Sequence, residues 1–468
     1  MSKNEPLNSP FSRLYLCPET KSDDIMNCAL GFKYPIDVQA LKEALLNSLM
    51  LKHPRFCSLL VRNPNGSGEH WKPTLVNLDD HVILHHHDND NDNDDGGGEA
   101  EEEEEEEAAV NAYLADISVS TPLSENKPLW EVHVLLGLKC VVLRVHHTLG
   151  DAVSLMSMLS ACFGKNKEMK SSDHNVKNHN QANKDWRGGG IFGLIKSLWF
   201  TFIFGMRLLG RIMWVKEKIS VLSGGDGVEL WPRKIVTAKF KIQDFKSIKL
   251  AIPSVTINDV LLGVISHGLS KYVDATSPNA PQQELRQVTA ILVFNLRENS
   301  SLQEKTDLMR VSTNGFSGWG NKTGIVLLPN YCCNGPHPFD HVRAMKATMD
   351  QKKQSYEALI SHFTLKLLTS YISPKVGSWV YQRILCKTTL LISNIMGPSE
   401  EIVIAGNPVT NIRLNISSQP HAITLHMVSY AGNADLQVLV AKDIIPDPEV
   451  LVNCFYDSLL EMKNCIKI

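Results

Sequence analysis

Residues 130–163 read WEVHVLLGLKCVVLRVHHTLGDAVSLMSMLSACF and carry the clearest pattern of secondary structure in the chain. The runs PLWEVHVLLG and KCVVLRVHH are rich in β-formers and flank a Gly-Leu-Lys turn, which predicts a β-hairpin. From Asp151 the pattern changes, because apolar residues recur at helical spacing and Asp151 stands where an N-cap belongs. The sequence therefore predicts a strand that passes directly into a helix.

His146 and His147 lie at this strand-to-helix junction. Strand pairing can hold an imidazole so that it faces a cleft, and an imidazole that titrates near pH ~6.5 can accept an alcohol proton at neutral pH. Acyl transfer to a hydroxyl requires such a base. The pair is equally typical of a metal site or of hydrogen-bonded structural histidines, although no second ligand pair at i,i+4 spacing lies nearby.

The remainder of the chain predicts a mixed fold. With 468 residues it exceeds what one hydrophobic core usually supports, so we expect two subdomains of about 200 residues each. A content of 43% hydrophobic and 21% charged residues excludes a disordered chain and a polytopic membrane protein. Strand and helix patterns mix in both halves, which predicts an α/β or α+β enzyme fold. Helices are predicted to end before Pro54, to be capped by Thr256 and to begin near Pro448.

Residues 88–107 hold 13 acidic residues and little that a core could bury. Because like charges repel, we expect a disordered acidic insertion here. Without this stretch, 47 basic residues stand against 37 acidic ones. That excess suits a phosphate-bearing ligand or an anionic membrane surface, and equally a scattered solvated surface. The adjacent run His85–His87 predicts at most an incidental metal site.

The ten cysteines lie mainly in apolar runs, and no CxxC or CxxH spacing predicts zinc. This favours a reducing compartment. The opening MSKNEPLNSPFSRLYL lacks the basic end and the apolar stretch of a secretory signal, so we expect the catalytic body to face the cytosol.

The most apolar stretch of the chain follows a polar linker and runs over residues 190–218. Only ten residues separate Lys196 from Arg207, which is too short to span hydrocarbon. On a helix these two residues and two later cations form one basic stripe opposite an apolar face. The pattern favours a helix that lies in a membrane interface, with a helix docked on its own protein as the alternative.

Several motifs together resemble one known family. The residues His146–Ala152, HHTLGDA, resemble the HHxxxDG motif of coenzyme A-dependent acyltransferases. Four more stretches occur in family order: Pro128-Leu129-Trp130, Asn258-Asp259, Asn295-Leu296-Arg297 and Ser393-Asn394-Ile395-Met396-Gly397-Pro398. Over essentially the whole chain, these motifs resemble the plant-type bifunctional wax ester synthase/diacylglycerol acyltransferase family.

The resemblance implies an α/β fold of two chloramphenicol-acetyltransferase-like subdomains with a central tunnel between them. We expect residues 1–187 to form the N-terminal subdomain, 188–220 the interfacial helix and crossover, and 221–468 the C-terminal subdomain. Acyl-CoA as co-substrate and a fatty alcohol or diacylglycerol would enter the tunnel from opposite sides. The resemblance implies no permanently bound cofactor, no metal and no nucleic-acid partner, and a location at the cytosolic face of the endoplasmic reticulum membrane, with the plasma membrane as a second location.

The resemblance also assigns roles to residues. His147 is the general base, His146 shapes the pocket, and Asp151 turns away to hold the loop. The tetrahedral oxyanion needs hydrogen-bond donors. The candidates for contact with the oxyanion or the substrate are Asn258 with its neighbour Asp259, Asn394, and a backbone N–H.

Each secondary motif also has a structural interpretation. The stretch Pro128–Trp130 can orient and pack the strand that enters the site. Asn258–Asp259 can stabilise a helix N-terminus, and Gly397–Pro398 can shape a turn. Ala152 replaces the final Gly of the motif, which would strain a backbone of positive φ but is harmless in the first turn of a helix, the alternative that we favour.

Two other functions stay open at this point. One alternative is an acyltransferase for a more soluble alcohol, and the other is a catalytically silent lipid-binding protein of the same fold. The predicted membrane-seeking helix favours a lipid acceptor, and the intact His147 and Asp151 argue against a silent protein.

Overall fold

The computed structural model of the chain describes most of both halves. The described residues are 5–6, 10–17, 24–62, 69–87, 99–119, 121–164, 222–225, 227–277, 288–297, 302–311, 319–329, 331–332, 335 and 337–466, with seven single positions between 195 and 210.

Strands and helices mix along the chain, as the sequence predicts. The strands are β1 (Glu5–Pro6), β2 (Ile25–Phe32), β3 (Ser58–Arg62), β4 (Glu69–Pro73), β5 (Val82–His86), β6 (Trp130–Leu136), β7 (Cys140–His146), β8 (Arg233–Lys241), β9 (Ala290–Asn295), β10 (Thr323–Leu328), β11 (Leu390–Met396), β12 (Val403–Ile404), β13 (Asn407–Ile416), β14 (Ile423–Tyr430) and β15 (Asn433–Ala441). The α-helices are α1 (Pro10–Tyr15), α2 (Val38–Leu46), α3 (Leu78–His81), α4 (Glu99–Ile117), α5 (Ala152–Phe163), α6 (Ile242–Ala251), α7 (Ile257–Thr276), α8 (Leu302–Val311), α9 (Pro338–Lys353), α10 (Glu357–Leu367), α11 (Pro374–Leu385) and α12 (Pro448–Asn464).

Two six-stranded sheets organise the molecule. The first has the order β12-β13-β2-β7-β6-β5 and the second the order β10-β9-β11-β14-β15-β8, while β1, β4 and β3 form a small third sheet. The predicted hairpin is confirmed, because β6 and β7 pair antiparallel with Trp130 opposite Val145. The predicted passage into a helix is also confirmed, because α5 begins at Ala152 with Asp151 as its N-cap.

The C-terminal half contributes to the first sheet. Strand β13 pairs antiparallel with β2, so that Ile412 lies opposite Leu30 and Ile416 opposite Met26. The first sheet therefore needs residues from both ends of the chain. The predicted boundaries at 187 and 221 lie outside the described residues and stay predictions.

Polar bonds join the two sheets at their centre. Asn27 on β2 donates from Nδ2 to Asn415 Oδ1 on β13 at 2.9 Å. Asn415 in turn donates to Gln437 Oε1 on β15 at 3.0 Å. All three side chains are fully buried, so an unmade bond here would carry the full cost of desolvation. These amides therefore fix how one sheet lies against the other.

Two helix starts are confirmed and one predicted helix is too long. Thr256 and Asp259 form a capping box on α7, and Pro448 occupies the first turn of α12. The prediction of a helix that ends just before Pro54 is wrong, because α2 ends at Leu46. The side chain of Ser48 donates to the carbonyl of Leu45 at 2.7 Å, which competes with the next helical turn.

The prediction that residues 88–107 are disordered is wrong for residues 99–107. Residues 99–107 form the first turns of α4. Two acidic side chains form ion pairs here: Glu106 with Lys139 Nζ at 2.8 Å and Glu107 with Arg413 at 3.3 Å. Opposite charges on Lys139, in the turn between β6 and β7, and on Arg413 of β13 thus offset the repulsion that the sequence pattern predicts. The part from 88 to 98 lies outside the described residues.

The predicted linker and most of the 190–218 helix also lie outside the described residues. Four of the single positions described there have large apolar side chains that are more than half exposed: Ile195, Trp199, Phe202 and Met206. Within the parts of the chain that the structure covers, we find no helix that is both long and apolar enough to cross a bilayer.

Candidate active site

His147 follows the last residue of β7 and lies in a cavity between the two sheets. Its backbone N–H donates to the carbonyl of Asp24 at 2.9 Å, which extends the strand pairing by one residue. The Tyr15 ring packs beside the imidazole with 4.4 Å between ring centroids. The same cavity is lined by Tyr381 and Asn394, so both halves of the chain enclose His147.

Asn321 fixes which nitrogen of His147 carries the proton. Its Nδ2 donates to the His147 carbonyl at 2.8 Å, and its Oδ1 lies 3.0 Å from His147 Nδ1. An amide oxygen can only accept, so Nδ1 must be protonated and Nε2 is left with a lone pair. Sequence reasoning missed Asn321, because it lies 174 positions away in a loop that carries no motif.

The surroundings keep the imidazole neutral. Burial lowers the pKa of His147 below its usual value, and this effect exceeds the opposing influence of the Asp151 carboxylate and the Asn321 hydrogen bond. A neutral ring with a free Nε2 is the form that can accept a proton. His147 therefore has the protonation state and the tautomer of a general base at neutral pH.

Asp151 holds the loop and does not contact the imidazole. One carboxylate oxygen accepts from the Ser154 N–H at 3.0 Å as the N-cap of α5. The other accepts from Arg297 Nη1 at 2.8 Å and from the Lys322 N–H at 3.0 Å. Three donors thus occupy this buried carboxylate, which connects β7 and α5 to the segment that carries Asn321.

Arg297 is the centre of this connection. Its other terminal nitrogen donates to Ser154 Oγ at 3.0 Å and to the Gly320 carbonyl. Trp319 adds a bond from Nε1 to the Leu149 carbonyl at 2.6 Å. The stretch Asn295-Leu296-Arg297 is one of the family motifs in the sequence. In the structure, Arg297 holds residues 319–322 against the loop that follows His147.

His146 faces away from the cavity. Its Nδ1 accepts from the Thr148 N–H at 3.1 Å, which tightens the turn after β7. Burial, followed by the nearby His147, lowers the pKa of His146 to about 3, so the ring stays neutral. The role of His146 is therefore to stabilise the turn that follows β7.

The predicted oxyanion residues lie at two places. Asn394, within β11, lines the cavity, and its Nδ2 donates to Asn258 Oδ1 at 3.2 Å. Asp259 is fully buried, and its Oδ2 accepts from the Thr256 N–H at 2.8 Å in the capping box. Asn394 is therefore the candidate closest to the reaction, whereas Asp259 stabilises the start of α7.

The other motif residues have packing contacts. Trp130, the first residue of β6, is fully buried and donates from Nε1 to the Phe56 carbonyl at 2.9 Å. At Gly397 a Cβ would lie 2.5 Å from the Ser429 carbonyl oxygen, so the close strand approach excludes a side chain. The following Pro398 carbonyl accepts from the Ala431 N–H at 3.1 Å.

Two further histidine observations complete the site. His426 on β14 lies opposite Ser393 of the cavity wall, is fully buried, and has no hydrogen-bond partner for either ring nitrogen among the described residues. In the run His85–His87, by contrast, the first histidine is hydrogen-bonded, since His85 Nε2 lies 3.0 Å from the Tyr113 hydroxyl. The described ranges contain no group of three His, Cys, Asp or Glu side chains arranged to hold a metal.

Comparison with known proteins gives consistent matches. The profile of the wax ester synthase/diacylglycerol acyltransferase catalytic domain matches residues 108–214, and that of the WS/DGAT C-terminal domain matches residues 319–463. The chain is 31% identical to wax ester synthase/diacylglycerol acyltransferase 11 of Arabidopsis thaliana, over 99% of this chain and 96% of that protein. It is 30% identical to the Arabidopsis protein numbered 5 in the same series, over 99% of this chain and 94% of that protein.

Solved structures show the same fold. The wax ester synthase/diacylglycerol acyltransferase from Marinobacter aquaeolei VT8 superposes with a TM-score of 0.60 at 16% identity, over 99% of this chain and 100% of that one. The first condensation domain of the calcium-dependent antibiotic synthetase gives a TM-score of 0.57 at 12% identity, over 99% of this chain and 96% of that one. The predicted fold class is thereby confirmed.

Proposed function

Since this chain belongs to the wax ester synthase/diacylglycerol acyltransferase family and is an acyltransferase, we propose that it transfers a fatty acyl group from acyl-CoA to a long-chain fatty alcohol or to diacylglycerol. His147 acts as the general base. The observation that carries this proposal is the Asn321 bond, which leaves Nε2 of a neutral, buried imidazole as the acceptor.

The reaction needs no covalent enzyme intermediate. Nε2 of His147 accepts the hydroxyl proton while the alcohol oxygen attacks the thioester carbonyl and forms a C–O bond. The resulting tetrahedral intermediate collapses, the C–S bond breaks, and the imidazolium returns its proton to the departing thiolate. The products are an ester and free coenzyme A, so atoms and charges balance.

The developing oxyanion needs a donor on the cavity wall. Asn394 supports this role because it lines the cavity with His147 and has an amide N–H beyond the one bonded to Asn258. Tyr15 and Tyr381 supply apolar ring surface beside the imidazole, which suits an acyl chain and limits water near the base.

The proposed location is the cytosolic face of the endoplasmic reticulum membrane. The predicted helix over 190–218 supports it through its basic stripe, and the exposed Trp199 and Phe202 side chains are of the type that enters a bilayer interface. This helix would bring the enzyme to the pool of fatty alcohol and diacylglycerol.

A radiolabelled acyl-CoA assay tests the proposed function. The full chain is produced in a host that makes neither wax ester nor triacylglycerol, and its membranes receive labelled acyl-CoA with hexadecanol or diacylglycerol. Labelled wax ester or triacylglycerol supports the proposal. Product only from a soluble short alcohol would assign a different acceptor, and acyl-CoA binding without any product would assign a silent lipid-binding protein.

Changing Asn321 tests how the base is oriented. Asn321→Leu removes both bonds to His147, so we expect kcat to fall by roughly 10–10²-fold because the wrong tautomer and ring orientations become populated. Steady-state kinetics with either acceptor measures this loss. The conservative Asn321→Asp keeps an acceptor for Nδ1–H and should retain more activity than the leucine variant; equal activity in wild type and Asn321→Leu would contradict the role.

The pH dependence of the reaction follows from the lowered pKa of His147. A pKa below 6.5 in the folded enzyme means that the imidazole stays unprotonated through neutral pH and is protonated only in more acid solution. We expect kcat/KM to be flat near pH 7 and to fall with a midpoint below pH 6.5. In Asn321→Asp the adjacent carboxylate favours imidazolium, so the same midpoint should move to higher pH; an unshifted midpoint would argue that another group is titrating.

A further inference from the structure

Large apolar side chains cover the outer side of the hairpin formed by α10 and α11. The set extends from α10 across the π-helical turn Leu368–Ile372 into α11. Its members are between 37% and 84% exposed, and we call them the outer apolar face: Leu359, Phe363, Leu367, Tyr371, Ile372, Val376 and Trp379. A contiguous exposed patch of this size on one hairpin is typical of an interaction surface.

The hairpin cannot turn this face inward. The buried Ser361 accepts from the Ile325 N–H at 2.8 Å and donates to the same residue's carbonyl at 3.1 Å. His362 bonds the Thr323 carbonyl at 2.8 Å, and a Cβ at Gly324 would lie 2.0 Å from the Ala358 carbonyl oxygen. The inner side of α10 is therefore fastened to β10, and the outer apolar face must point away from the protein.

The same hairpin forms one wall of the active-site cavity. Ser361, His362 and Leu365 of α10 and Tyr381 of α11 line the cavity that contains His147. On α10, Leu359, Phe363 and Leu367 lie on the side opposite to Ser361 and Leu365, as the helical period requires. One thin layer of helix thus separates the exposed apolar surface from the catalytic base.

The charges on the hairpin complement a lipid surface. Exposed cations accompany the apolar residues at Lys366, Lys375 and Arg383. The one acid between 357 and 385 is Glu357, which is buried and paired with Lys352 at 2.9 Å. Apolar side chains that include Trp and Tyr, with cations at their edge, match the interface of an anionic bilayer.

We propose that the outer apolar face docks the enzyme on a phospholipid bilayer and thereby delivers the lipid acceptor to the cavity behind α10 and α11. This rests on the proposed function, since it takes the acceptor to be a membrane lipid. The surface is separate from the predicted helix over 190–218.

Vesicle flotation with the full chain tests the docking. The variant Leu359→Ser/Leu367→Ser/Ile372→Ser removes three aliphatic side chains of the face, and the matched control Leu46→Ser/Leu250→Ser/Leu460→Ser removes three that are comparably exposed on other helices. The vesicles contain phosphatidylcholine with or without phosphatidylserine. We expect the first variant to bind about tenfold or more weakly, because interfacial affinity scales with buried apolar area, and the control to float like wild type.

Turnover provides the second measurement. With diacylglycerol or hexadecanol in vesicles, the hairpin variant should lose activity in proportion to binding, while its activity on dissolved 1-hexanol stays at the wild-type level. Equal flotation of the two triple variants would overturn the proposal, as would a wild-type dimer that the hairpin variant converts to monomer, since the face would then bind a second copy. If only Trp199→Ser/Phe202→Ser abolishes flotation, the 190–218 segment alone docks the protein and the proposal fails. If wild type turns over no acceptor, the proposed function fails, while flotation still decides whether this face binds lipid.

Discussion

Replacing His147 with alanine is expected to lower kcat/KM by about 10²–10⁴-fold with either acceptor, because the alcohol then loses the group that accepts its proton. The structure supports this size of effect. Nε2 is the only unshared acceptor of the ring, and the Asn321 contact keeps it so. Initial rates with labelled acyl-CoA, measured beside the wild type at pH 7, check the prediction.

The neighbouring histidine provides the matched control. His146→Asn replaces one ring by an amide whose oxygen can still accept from the Thr148 N–H, so the turn after β7 should survive. We expect this variant to stay within roughly tenfold of wild type, since its side chain does not face the cavity. Turnover that persists in His147→Ala, or a larger loss in His146→Asn, would move the base to another residue.

Local structure could be read from the sequence where neighbours in the chain decide it. The β6–β7 hairpin, the Asp151 cap and the capping box at Thr256 depend on residues within a few positions of one another. Their spacing therefore predicts them directly. The fold class could be predicted from the family motifs, because the six residues from His146 to Asp151 specify a strand-to-helix junction that few folds share.

Long-range pairing could not be read in this way. Nothing in the pattern of β13 indicates that it completes the first sheet beside β2, since an alternating strand is equally compatible with either sheet. Asn321 and Arg297 are likewise recruited across 174 and 146 positions. Their roles depend on where loops meet in space, and a single sequence contains no local signal of that meeting.

The acidic stretch shows the opposite error. Thirteen acids within twenty residues predict self-repulsion, yet residues 99–107 are helical, and Glu106 and Glu107 pair with Lys139 and Arg413. Lys139 lies in the turn between β6 and β7 and Arg413 on β13, and both are distant from the acidic stretch in sequence. Charge patterning along one segment therefore overestimates disorder when the fold supplies the counter-charges.

Removing Arg297 should destabilise the protein by about 3–5 kcal/mol, because Asp151 would remain buried without its charged partner. The two side chains are only 5% and 3% exposed, so water cannot replace the lost 2.8 Å contact. We expect Arg297→Met to unfold at markedly lower urea than wild type, as followed by tryptophan fluorescence. Arg297→Lys should recover little, because one ammonium cannot bond both Asp151 and Ser154 as the guanidinium does.

A double variant separates charge from shape in this pair. In Asp151→Asn/Arg297→Met no charge is buried without a partner. Part of the free energy of unfolding lost in Arg297→Met should therefore return, although the bonds of Arg297 to Asp151 and Ser154 are absent. Activity should not return with it. Without the guanidinium, the Gly320 carbonyl and Ser154 keep only their direct bonds to each other, so Asn321 is held less firmly against His147. A stable double variant with wild-type kcat would show that the Asp151–Arg297 pair only stabilises the fold. A stable variant with a lowered kcat would show that the pair also helps to orient His147.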